Sequence, residues 1–375
     1  MARGSQYYRG KRKKRNRILI PTAILLGLIS LIVVLFYGMQ KYVVISKDKI
    51  HIDSPILEEA EEAAPVEAEG QIELETTDAN IVFESPDYTA ITARTGQGLD
   101  QVRAIFVSAD ELNPETVQEY AARLMVGNAL VLEMKPRSGA LKWDSRAWSA
   151  VNFALAGDPL SVEMRGLLST LKDDGVYLVA QISICRDDLY ASRSTDALTT
   201  DLGYKFMDEE GLWMDAYSLA LLDYTVTMCR ELYAMGFDEV VLADVAHPVL
   251  PEDTRIRYCR EMSTTQSPTN AICGFAVSVA DELADREGKL SIYVDSQPAL
   301  IGLDTESGQD GMLFFKLFDR VYFLTDRYAY TFNVADLQNK PIQGKLSERF
   351  VPVVLNYLPD DPDKISWVLI DTETN

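Results

Sequence analysis

The sequence predicts an α/β fold: a (β/α)8 TIM-like barrel preceded by a single N-terminal transmembrane helix and an acidic linker. Eight short segments rich in β-branched residues lie between Val102 and Asp371, and helical segments separate most of them. An uncharged apolar stretch at residues 18–39 directly follows a cluster of basic residues.

From the N-terminus, residues 1–17 read as a basic cytoplasmic tail, because Arg3, Arg9, Lys11, Arg12, Lys13, Lys14, Arg15 and Arg17 precede any acid. Ile18 to Met39 follows as a signal anchor. A helix rises about 1.5 Å per residue, so this run covers a hydrocarbon core ~30 Å thick. The positive flank should stay cytoplasmic, which makes the expected product a single-pass cell-membrane protein with everything after Lys41 outside. A cleaved signal peptide is the competing reading, but the run is long for one and no A-x-A type site follows it before Lys41.

Residues 40–100 form the juxtamembrane segment and linker. Tyr42 to Asp53 alternates loosely and suggests a short strand, after which Glu58, Glu59, Glu61, Glu62, Glu67, Glu69, Glu73 and Glu75 occur without one basic residue. Such a run repels itself and stays extended. The chain has 375 residues, 47% of them hydrophobic, which supports a real core and excludes disorder throughout. Removing the eight N-terminal positive charges from the formal −21 leaves −29 for the rest, so nucleic acid is not an expected partner.

The barrel is expected over residues 101–375, with strands at 102–109, 129–135, 176–184, 239–244, 289–295, 319–325, 349–357 and 366–371. Helices are expected at Pro114 to Val126, Ser161 to Asp174, Leu219 to Met235, Asn270 to Glu287 and Met312 to Phe318. A doubly wound open sheet is the alternative, although no G-x-G-x-x-G follows the first strand. The chain stops soon after the eighth strand, so the closing helix is expected to be absent or replaced from upstream.

The segment GFDEVVLADVAHP, Gly236 to Pro248, reads as a buried strand ending in an acid, Asp244. Side chains at the carboxyl ends of parallel strands face the ligand in this architecture. Those ends carry Asp110, Glu111, Glu133, Asp187, Asp188, Asp244, Asp295, Asp326 and Asp371. Any one of them alone is more simply a helix cap or a solvated loop residue. Collectively they suit glycosidic hydrolysis, which needs one protonated carboxyl and one ionised partner about 5–9.5 Å apart. The candidates for that chemistry are Asp244 or Asp295 as nucleophile or base, with Glu133 or Asp187 as the acidic partner.

Lys135, Gln181, Trp213, His247 and Tyr328 stand near the same ends and are the candidates for contacting carbohydrate. Nearby Trp143, Trp148, Tyr204, Tyr217, Tyr322 and Tyr330 offer stacking faces or, more simply, core closure. Cys185, Cys229, Cys259 and Cys273 lack C-x-x-C spacing and the chain holds only His51 and His247, so no metal site or cofactor is expected. A Cys259–Cys273 disulfide and buried free thiols both stay open.

Four blocks resemble the putative glycosyl hydrolase domain family, a barrel family of bacterial envelope proteins. Asn128 to Ser145 resembles its second-strand block through Asn128, Lys135, Gly139, Leu141 and Ser145. Gly175 to Ala191 resembles the third-strand block, Gly211 to Ser218 the G-x-W-x-D-P block after it, and Gly236 to Pro248 the fourth-strand block. Gly308 to Phe323 is a looser fifth match. The resemblance implies a membrane-anchored, extracytoplasmic glycoside-hydrolase-like barrel that engages cell-wall or cell-surface glycan.

Departures from the family pattern fall at the strand ends. The family's fourth-strand Asp and Arg fall on Ala243 and Ala246, its third-strand Arg on Gln181, and its fifth-strand Asp on Tyr293. The sixth-strand signature is replaced by Phe323 to Tyr330. Strand side chains alternate faces, so if Ala243 points into the barrel, Asp244 points toward the helices unless the strand has already ended. The expected result is a retained scaffold with a lost or rebuilt centre, either a hydrolase or a carbohydrate-binding or scaffolding pseudo-enzyme. A barrel used only for protein contacts is a third reading.

Overall fold

The computed structural model describes residues 43–46, 49–52, 96–124, 128–259 and 266–372. The chain divides into two compact units, Met1–Val82 and Phe83–Asn375. In the first, Val43–Ser46 and Lys49–Ile52 pair as an antiparallel hairpin, two strands where the sequence suggested one. The anchor expected at 18–39 and the acidic run that follows lie outside the described residues. Among the described residues no helix is long and apolar enough to cross a membrane.

The second unit is a closed, all-parallel barrel. Its strands are β1 (Arg103–Val107), β2 (Ala129–Lys135), β3 (Tyr177–Ser183), β4 (Glu239–Ala243), β5 (Lys289–Val294), β6 (Val321–Leu324), β7 (Phe350–Leu355) and β8 (Trp367–Ile370). Each pairs with the next in chain order and β8 pairs with β1, which excludes the open doubly wound sheet. All eight expected strands are present.

The crossover helices are α1 (Pro114–Ala122), α2 (Val162–Asp173), α3 (Leu219–Ala234), α4 (Pro268–Glu282), α5 (Gly311–Leu317) and α6 (Arg327–Gln338). Their starts follow from local chemistry. Asn113, Ser161, Ser218, Ser267 and Asp310 each accept a bond from a first-turn amide of α1 to α5, satisfying donors a helix end leaves unpaired. Asp326 does the same for α6 through Ala329 N at 2.7 Å. Residues 356–366 join β7 to β8 without a helix. All four cysteines are free: Cys273 is buried in α4 and Cys259 lies exposed in a loop, so the Cys259–Cys273 bridge is not formed.

Alternation along the strands sorts the core into two layers. Ile105, Leu130, Leu132, Val240, Leu242 and Ile292 face the helices, whereas Ala104, Val131, Val179, Val241, Val351 and Val368 fill the barrel. Below that apolar layer the interior is ionic. Glu239, wholly buried, accepts bonds from Arg320, from Ser291 Oγ at 2.6 Å, and from the hydroxyls of Tyr322 at 2.9 Å and Tyr177 at 3.1 Å. Arg320 also donates to the carbonyl of Leu99, so the segment before β1 closes the lower end.

Removing one partner of a buried pair leaves the other charge uncompensated. Glu239→Gln should therefore lower the unfolding free energy by about 3–5 kcal/mol, read as a lower denaturant midpoint at unchanged slope. Glu239→Gln combined with Arg320→Met should recover part of that loss.

Candidate active site

A cavity of about 630 Å³ opens at the carboxyl ends of the strands. Its floor is the top apolar layer of the barrel, including Phe106, Val131, Tyr322 and Val353, and its polar wall includes Glu133, Arg137, Gln181, Ser183, Asp244 and Asp295.

Asp244 reaches that wall through its backbone. β4 places Glu239 and Val241 inside the barrel, so Ala243 points inward as well and the next residue would face the helices. The strand instead ends at Ala243, and Asp244 adopts φ +54°, the left-handed region that aspartate tolerates better than most residues. Such a conformation costs on the order of 1–3 kcal/mol and tends to occur where function requires it. It puts the carboxylate against Arg137, whose Nε lies 3.0 Å and whose terminal nitrogen lies 2.8 Å from Oδ1, and within 2.6 Å of Ser183 Oγ. The displaced acid thus returns to the mouth.

Asp295 follows β5 and is held by Gln309, a fully buried side chain that donates from Nε2 to Oδ2 at 3.1 Å and accepts the Asp295 amide at 2.9 Å. Its depth in the molecule, and next the charge of Asp244, push its carboxyl up to about 7. Solvent reaches the same side chain through the open mouth, which tempers the rise without reversing it. Glu133 is raised in the same direction, first by burial and then by Asp244, against an opposing bond from Ala109 N at 2.9 Å. Tyr293 lies on the same wall, and burial together with Asp295 and Asp244 raises its phenol, which stays protonated. The cavity therefore combines an arginine-paired carboxylate with two carboxyls whose proton affinity is raised.

The other expected residues divide. Gln181, Trp213 and His247 line the cavity. Trp213 Nε1 donates to Asp208 Oδ2 at 2.8 Å. His247 Nδ1 donates to the Pro248 carbonyl at 2.9 Å, which leaves Nε2 to accept from Tyr258, and burial lowers its proton affinity. Lys135 and Asp187 do not reach the cavity. They pair with each other at 2.9 Å with both side chains fully inaccessible, and Asp187 Oδ1 also caps the Tyr190 amide. This corrects the expectation that Lys135 contacts substrate and Asp187 is the acidic partner: a group sealed in an ion pair meets no ligand. The pair explains Gly139, at φ +83°, where a Cβ would stand 1.9 Å from Asp187 Oδ1.

Tyr328 falls at the start of α6 rather than on a strand end, and its side chain lies outside the described residues. Glu111 bonds Ser108, Asp188 accepts Leu212 N, Asp326 caps α6 and Asp371 pairs with Arg123, the simpler roles considered for each. Among the aromatics, Trp143 is buried against Glu231, whereas Trp148 and Tyr204 are exposed.

Arg137, Ser183, Arg186 and Glu210 are among the cavity residues that escaped a search for strand-end acids. Arg137 stands two residues beyond β2 and Arg186 three beyond β3, so counting bases as well as acids at strand ends would have found both arginines. Glu210 sits on a hairpin of Met207–Asp208 with Gly211–Leu212 and carries no such signal. Among the described residues no group of three or more His, Cys, Asp or Glu side chains could hold a metal ion.

An acid raised by folding stabilises the folded state below its unfolded value and loses that contribution as pH rises through the folded one. For Asp295 the window runs from about pH 4 to about 7. Asp295→Asn should accordingly gain thermal stability relative to the parent as pH rises across that window. A variant that loses ground instead would show the carboxyl to be better tolerated ionised.

Comparison with known proteins agrees with this architecture. No curated protein sequence matches the chain. The glycoside hydrolase domain of PgaB (BpsB) from Bordetella bronchiseptica is similar in structure, with a TM-score of 0.50 at 12% identity over 72% of this chain and 93% of that one. A hypothetical protein from Ruminiclostridium thermocellum gives 0.44 at 18% identity, over 50% and 96% of the two chains. Ega3 of Aspergillus fumigatus, solved with galactosamine, gives 0.42 at 10%, over 76% and 97%. At these identities the likeness to PgaB speaks for the fold alone. The sequence model of the putative glycosyl hydrolase domain family matches residues 104–322, more than half of the chain, running from within β1 into β6, and the protein belongs to that family.

Proposed function

We propose that this protein hydrolyses glycosidic bonds in a cell-surface glycan, with Asp295 as the proton donor and Asp244 as its ionised partner. The observation that carries this reading is the left-handed backbone at Asp244, which returns a carboxylate to a mouth from which strand alternation would have removed it. Two neighbouring carboxyls in unlike environments are what general acid and base roles require. Asp244 is met by the Arg137 guanidinium and the Ser183 hydroxyl, whereas the carboxyl of Asp295 is bonded by the amide of Gln309 and its proton affinity is raised.

In the reaction Asp295 gives its proton to the glycosidic oxygen as the bond to the anomeric carbon breaks. Asp244 holds negative charge against the positive centre that develops there. Water completes the substitution, its hydroxyl joining the anomeric carbon and its proton restoring the carboxyl. Glu133, whose proton affinity is raised by burial, lines the same cavity. Gln181 and Tyr293 present polar groups to the ring hydroxyls.

The carbohydrate-binding pseudo-enzyme reading rested on Ala243 and Ala246. It loses force once Asp244 and Arg137 stand in the mouth together. The membrane anchor at 18–39, the outward orientation of the barrel and a place in the envelope belong to the same proposal, supported by the basic flank and the uncharged apolar run.

The test is turnover of a panel of labelled glycans by the full chain. Asp295→Asn and Asp244→Asn should each lower kcat by about 10²–10⁴-fold, the usual worth of a positioned acid or base. Turnover that persists in both variants would sink the assignment.

A further inference from the structure

Resting on the glycosidase reading, we infer that the rim of the cavity is a subsite for a sugar carboxylate, occupied in this structure by the protein's own Glu210. Arg137 and Arg186, from the loops after β2 and β3, both reach one oxygen of Glu210, Oε2, at 2.5 and 2.6 Å. All three residues line the cavity that holds Asp244 and Asp295. Two guanidinium groups converging on one carboxylate oxygen are built to receive an anion of that geometry.

The two sides of the contact are unequally fixed. Arg186 is only 15% exposed; its guanidinium lies 4.2 Å over the Trp213 ring and donates to Asp208 Oδ2 at 3.1 Å. Arg137 is tied to Asp244, and its loop is pinned by the amides of Asp188 and Leu189, which donate to the carbonyls of Arg137 and Ser138. Glu210, by contrast, is 57% exposed at the tip of a hairpin with two-residue strands. Its backbone is anchored, because Asp208 Oδ1 accepts both Glu210 N and Gly211 N. A rotation of the side chain alone empties the cradle, leaving backbone and arginines in place. An exposed ion pair contributes little, so a ligand carboxylate that also gains ring contacts can replace it.

Charge bookkeeping at the subsite favours the exchange. With Glu210 swung out, Arg137 and Arg186 face Asp244 and Asp208, a neutral set that accepts one ligand carboxylate as it accepts Glu210. Glu133, Asp295 and Asp304 line the same cavity, and negative charge elsewhere on the chain is screened beyond about 10 Å. A uronic acid ring, whose carboxylate lies on the sugar itself, is the ligand class this arrangement selects.

The probes are glucuronate- and galacturonate-containing trisaccharides and their carboxyl-reduced counterparts, titrated calorimetrically into the full chain carrying Asp295→Asn to suppress turnover. At least one uronate should bind on the order of tenfold tighter than its reduced form, a preference of the size one charged contact supplies. Glu210→Ala should tighten the uronate several-fold by removing the competitor and should not tighten the reduced sugar. Arg186→Gln should abolish the preference. Equal affinity for uronate and reduced forms, or a Glu210→Ala variant that weakens the uronate, would overturn the subsite. If a neutral glycan is nonetheless hydrolysed, the glycosidase reading survives that result; if no glycan is turned over, the failure lies in the reading on which the subsite rests.

Discussion

The buried pair of Glu239 and Arg320 constrains everything above it. Glu239 is the first residue of β4, and its carboxylate must lie inside the barrel to meet Arg320, Ser291, Tyr177 and Tyr322. Strand side chains alternate with a period of two, so that single requirement also sends Val241 and Ala243 inward and Val240 and Leu242 toward the helices. The strand cannot slip by one residue without burying an unpaired charge among the helices. An acid at position 244 therefore arrives on the wrong side, and only a change of backbone conformation brings it into the mouth.

The left-handed turn at Asp244 answers that constraint, and Arg137 completes it. In the resemblance to the family pattern, the fourth strand supplies both an acid and, three residues later, an arginine, and here both positions are alanine. The acid stands one residue further on, and a guanidinium reaches it from the loop after β2, where Arg137 grips Asp244. Residues beside that loop serve the grip indirectly. Lys135 and Asp187 lock the ends of β2 and β3 together, and Gly139 lets the chain pass over Asp187, which holds Arg137 above the cavity. Residues that look catalytic by type are thus sealed in the fold, and a residue that looks like loop filler lines the cavity.

Much of the scaffold was legible in the sequence. The eight strands stood out because parallel strands covered on both faces are nearly continuous apolar runs, and five helices because capping residues and apolar periodicity mark them. The sixth helix, α6, was missed because RYAYTFNVADLQ mixes polar and aromatic residues with little periodicity, so tertiary packing rather than local pattern makes it helical. At the site, strand-end position identified Glu133, Asp244 and Asp295 correctly as cavity residues, and Gln181, Trp213 and His247 with them. It failed for Lys135 and Asp187, because position along a strand does not reveal whether two opposite charges will find each other first.

Hydrophobic pattern and chain direction already set the order of the strands and which loops crowd the mouth. Which charges meet there depends on how distant segments pack. Arg137 and Asp244 lie 107 residues apart in the chain, and their contact depends on one backbone angle at Asp244. The raised proton affinities of Glu133 and Asp295 arise from burial and from charges brought near by folding, and neither is a property of any local stretch of residues.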